Sequence, residues 1–85
     1  MSEEMNSAAS EVSNITMSLI FDQLRERVSM YNAKLLLQSA AVRTGLNADN
    51  PEPLSKEQAK AICLELINNG GPAFQVGKTV YQTLQ

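Results

Sequence analysis

The sequence predicts an all-α protein in which a long N-terminal helix is followed by a C-terminal helical hairpin. Three observations predict it. Neither Gly nor Pro occurs before Gly45, an apolar heptad seam runs from Met17 to Val42, and no stretch sustains the period-two, β-branched alternation of a strand. Turn-forming residues then divide the chain twice, at 45–54 ("GLNADNPEPL") and 68–72 ("NNGGP"). The expected helices cover about 13–44, 55–69 and 72–84, with 1–12 a flexible tail and 13–85 a single helical domain.

The first helix carries the strongest pattern. Met17, Phe21, Leu24, Val28, Tyr31, Leu35, Gln38 and Val42 fall at alternating spacings of four and three, and seven of these eight are apolar in a chain that is 44% hydrophobic. A helix over 13–44 would be roughly 45 to 50 Å long, against roughly 30 Å for a compact domain of this size. It therefore overhangs and takes a partner, or breaks near residues 30–32 so that its halves pack together. A second apolar row, Met30, Ala33, Leu37 and Ala40, lies away from the seam, and a helix apolar on two faces needs cover on both. Gln38 either fixes register inside an oligomer or sits at a solvated edge.

The shorter helices have sharper ends. Ser55 and Gln58 are spaced for a capping box, in which each side chain bonds the other's backbone amide. Ala59, Ile62, Cys63, Leu66 and Ile67 then share one face. Gly70 suits the left-handed residue past a helix end, Pro72 suits the first turn of the next helix, and Ala73, Val76, Gly77, Val80 and Leu84 form its apolar stripe. Gly77 inside that helix costs about 1 kcal/mol relative to Ala, which predicts a close helix crossing there.

The run "GGPAFQVGKT" ends in the Gly-Lys-Thr of a phosphate-binding loop, but the loop's first Gly would have to stand at Pro72. A capped helix precedes it where a strand is needed, and six residues follow Thr79. No nucleotide site is expected. "NADNPEPLSKEQ" fails as a calcium loop because Glu52 replaces the turn Gly and Gln58 the bidentate Glu. With no His and a single Cys, neither a zinc site nor a histidine-based catalytic set can form, and Cys63 reads as a small core residue. No cofactor, metal or small-molecule substrate is expected, and the protein is read as no enzyme.

The net charge of −2, with seven basic and nine acidic residues scattered along the chain, gives no electrostatic reason to expect nucleic acid or an anionic membrane. An acidic start without a long apolar run predicts neither a secretion signal nor a membrane span, and the lone Cys suits the reducing cytoplasm. Without secretion, the Asn14-Ile15-Thr16 triplet carries no weight.

The functional expectation is a non-enzymatic helical interaction module, a small adaptor or regulator, that offers an apolar helix face to itself or to a helical partner. Met17, Phe21, Leu24, Val28, Tyr31, Leu35 and Val42 are its expected contacts. The alternative is a dimeric helix-turn-helix-like regulator presenting Gln75, Lys78, Thr79 and Gln82 to DNA, a layout that the acidic balance disfavours. A second alternative is a structural subunit of a larger assembly.

Overall fold

In the computed structural model, which describes residues 11–84, the chain folds into four helices: α1 Met17–Arg25, α2 Met30–Thr44, α3 Lys56–Asn69 and α4 Gly71–Thr83. No strand forms among the described residues beyond an isolated antiparallel bridge between Val12 and Ser55. The all-helical class is as expected, but the long first helix is replaced by two. Of the expected tail, 1–12, residues 1–10 lie outside the described ones, while residues 11–15 are hydrogen-bonded to residues 54–56 at the start of α3. Ser13 N and Oγ both donate to the Leu54 carbonyl at 2.9 and 2.8 Å, Leu54 N donates to the Ile15 carbonyl at 2.8 Å, and Lys56 N donates to the Glu11 carbonyl at 2.8 Å. Residues 13–16 are therefore not helical. Helix α1 starts only after Thr16, whose Oγ1 accepts from Leu19 N at 3.0 Å.

The first helix stops at Arg25, and the chain turns through Glu26 to Val28. Ser29 then takes an extended conformation, φ −66° and ψ 162°, and its hydroxyl accepts from Asn32 N to begin α2. The break thus falls just before the 30–32 position considered from the sequence. Its physical reason is burial. In one straight helix Leu24 and Leu37, thirteen residues apart, would point roughly 140° apart around the axis. The turn lets both face one core, so that Met17, Ile20 and Leu24 of α1 join Ala33, Leu37, Ala40 and Ala41 of α2 in the same cluster.

The C-terminal hairpin matches its expected bounds to within a residue. Ser55 N donates to Gln58 Oε1 at 2.9 Å and Ser55 Oγ accepts from Gln58 N at 3.1 Å, completing the capping box. Only Gly70 separates α3 from α4, and the reversal takes positive φ at two successive residues, 82° at Gly70 and 60° at Gly71. Side chains rarely adopt such angles. Gly70 has an extended ψ of −174°, so it is not the left-handed helical residue expected there.

The two helices of the hairpin pack on each other more extensively than any other pair. At their crossing, a Cβ built on Gly77 would lie 2.7 Å from the Cys63 carbonyl oxygen and 3.0 Å from both Ile67 Cγ1 and Leu66 Cβ. Only glycine permits this approach. Helix α2 packs on α3, and α1 packs on α2 and α4, so the core sits between the N-terminal pair and the hairpin. Leu54, fully buried, closes it beneath the loop that joins the halves.

Candidate functional site

The apolar seam divides at the break between α1 and α2. Met17 and Leu24, 2% and 0% exposed, lie in the core and leave the set of expected contacts. Phe21 and Val28 are half-buried and pack against the core's edge. Tyr31, Leu35 and Val42 stand in solvent at 70%, 47% and 77% exposed. The inward side of α2 is instead the row of Ala33, Leu37, Ala40 and Ala41, with Met30 left exposed. Helix α2 is thus apolar on both faces, and only one of them is covered within the described chain. Gln38, between Leu35 and Val42, is exposed.

Two grooved edges border this outer stripe. On one side a groove of about 330 Å³ opens between α1, α2 and the loop after α2, lined by Met17, Phe21, Leu37, Ala48 and Pro51 together with the exposed Lys34, Gln38 and Asp49. The loop holds its shape through local turns: Asp49 N donates to Asn47 Oδ1 at 2.9 Å and Glu52 N to Asn50 Oδ1 at 3.1 Å. On the other side a polar groove of about 300 Å³ separates α2 from α3, where Arg43 Nε lies 3.8 Å from Glu65 Oε1. The basic residues of α2 are Lys34 and Arg43, one toward each edge, and the helix carries no carboxylate.

The remaining candidates occupy ordinary helical positions. Gly77, Lys78 and Thr79 lie in the middle of α4, where the helix interior already uses the backbone amides that a phosphate would need. Gln75, Lys78, Thr79 and Gln82 are exposed on α4's outer side, and Lys78 Nζ sits 6.0 Å from the centre of the Phe74 ring. Lys78 is the only cation on that helix, which gives it little hold on phosphate. Cys63 is buried, and loss of hydration pushes its thiol up to about 11, so it presents no thiolate near neutral pH. Among the described residues no three Cys, Asp or Glu side chains gather as a metal cluster would require, and no helix is long and apolar enough to cross a membrane.

Reading the sequence missed Ile20, a fully buried residue whose inward position follows once α1 is treated as a short helix of its own. It also missed Asp49 as a neighbour of the seam, because a loop residue's proximity to a helix face leaves no periodic trace. Compared with known proteins, the chain matches no family model, no curated protein and no solved structure.

Proposed function

We propose that the protein is a non-enzymatic helical interaction module that self-associates through the outer face of α2 and acts as a small adaptor or regulator in the cytoplasm. The observation that carries this reading is the exposure of Tyr31, Leu35 and Val42 at heptad spacing, opposite a row that is already buried. Isolated exposed apolar residues are ordinary, but an aligned row on one helix face is the form in which helices recognise helices. The lone, reduced Cys63 fits a reducing compartment.

The test is sedimentation equilibrium over a concentration series, comparing the native chain with Leu35→Asp combined with Val42→Asp. Both positions are exposed, so circular dichroism and the melting temperature should stay close to native while the dissociation constant rises by at least about tenfold. Leu64→Asp, an exposed apolar position on α3, serves as the control and should leave association unchanged. Association that survives the α2 pair with the fold intact would sink the reading.

A further inference from the structure

We infer that the occupant of the α2 face is the same face of a second copy, packed antiparallel about a two-fold axis, with Lys34 of each copy opposite Asp49 of the other. This inference rests on the interaction reading above and adds the identity and register of the partner.

The stripe is suited to pairing with itself. An axis passing between Leu36 and Leu37 sets Tyr31 over the second copy's Val42 and Leu35 beside its Gln38, so a large residue meets a smaller one at each end. A two-fold axis lying in the contact plane across the helices brings each edge of the face against the same edge of the other copy. The edge that carries Lys34 also carries Asp49. Asp49 lines one groove with Lys34 and Gln38 and the adjoining one with Gln38, Ala41 and Val42, so it lies beside the C-terminal half of α2. Lys34 lies in the N-terminal half, and the axis exchanges the halves. Each Lys34 therefore meets an Asp49, twice per dimer.

Among the described residues neither has such a partner, the ion pairs there being Arg43 with Glu65 and Lys56 with Glu11. The opposite edge is already balanced, because Arg43 there lies beside its own Glu65, 3.8 Å away. The assembled face thus buries its apolar stripe and leaves no charge opposed by a like one.

Charge reversal tests the register. In the full chain, Lys34→Glu alone and Asp49→Lys alone should each weaken dimerisation about tenfold, since each turns two attractions into two repulsions. Lys34→Glu with Asp49→Lys should return it to within about threefold of native, because the pairs are restored with their signs exchanged. A combined variant no tighter than the singles would overturn the proposal, as would singles without effect or a native chain that stays monomeric up to about 1 mM. The two readings fail separately. If Leu35→Asp with Val42→Asp abolishes association while charge reversal gives no rescue, the face stands and the antiparallel second copy falls. If the apolar pair leaves association untouched, the face itself falls.

Discussion

The two halves of the molecule are each a pair of helices, yet only the second announces its turn. Between α3 and α4 the chain reverses at Gly70-Gly71 followed by Pro72, and those residues fix the bounds of both helices from the sequence. Between α1 and α2 the chain turns through Glu26, Arg27 and Val28 with no Gly or Pro, and the heptad pattern continues straight across. The lesson concerns what periodicity reports. A repeat of apolar residues shows that side chains share a face only while the helix is unbroken, and the break here rotates α2 so that its alternative row goes inside.

The contrast is sharpest at Leu24 and Leu35, members of one seam with opposite surroundings. Leu24→Ala should cost about 3 kcal/mol, because the side chain is fully buried and its loss leaves a cavity in the core cluster it shares with Ile20 and Leu37. In thermal unfolding this corresponds to a melting temperature lower by about 10 to 20 °C. Leu35→Ala, on the outer face, should change stability by no more than about 0.5 kcal/mol when measured at a concentration where the chain is monomeric. Equal losses at the two positions would mean that the seam is one continuous buried face after all.

Glycine gives the next test, in the half where the sequence was most legible. Gly77→Ala would raise intrinsic helix propensity, yet the added methyl meets the Cys63 carbonyl oxygen at 2.7 Å, a backbone atom that cannot swing aside. The helices must separate, and we expect a net loss of about 2 kcal/mol in chemical unfolding despite the gain in propensity. A stabilised Gly77→Ala protein would show that the α3–α4 crossing yields to a methyl group without loss of packing.

Local chemistry explains how far the sequence could be read. The capping box at Ser55 and Gln58, the Gly-Gly-Pro reversal and the close approach at Gly77 each involve residues near one another in the chain or types whose backbone behaviour is distinctive. The N-terminal half depends instead on a competition between two apolar rows for one core, decided by the helices that cover it. Nothing within 13–44 states which row wins. The candidate face was accordingly half legible: Tyr31, Leu35 and Val42 remain available at the surface, whereas Met17 and Leu24 were consumed by the core. The positions of residues 11–15 against the start of α3 were invisible because the bridge joins Val12 to Ser55 across about half of the chain, a distance that leaves no local pattern.

The smallest expected effect falls on the break itself. The Ser29 side chain accepts one hydrogen bond, from Asn32 N at 3.2 Å, and the residue supplies the extended conformation from which α2 departs. Ser29→Ala removes that bond and substitutes a residue that prefers the helix interior, so two outcomes compete. If burial of Leu24 and Leu37 in one core dictates the turn, the helices stay separate, helix content is unchanged, and stability falls by about 1 kcal/mol. If the cap dictates it, α1 and α2 fuse, the helical signal in circular dichroism rises by about one turn's worth of residues, and the core rows point apart. We expect the first outcome, because burying those two leucines contributes about 3 to 6 kcal/mol together, several times what a single cap supplies.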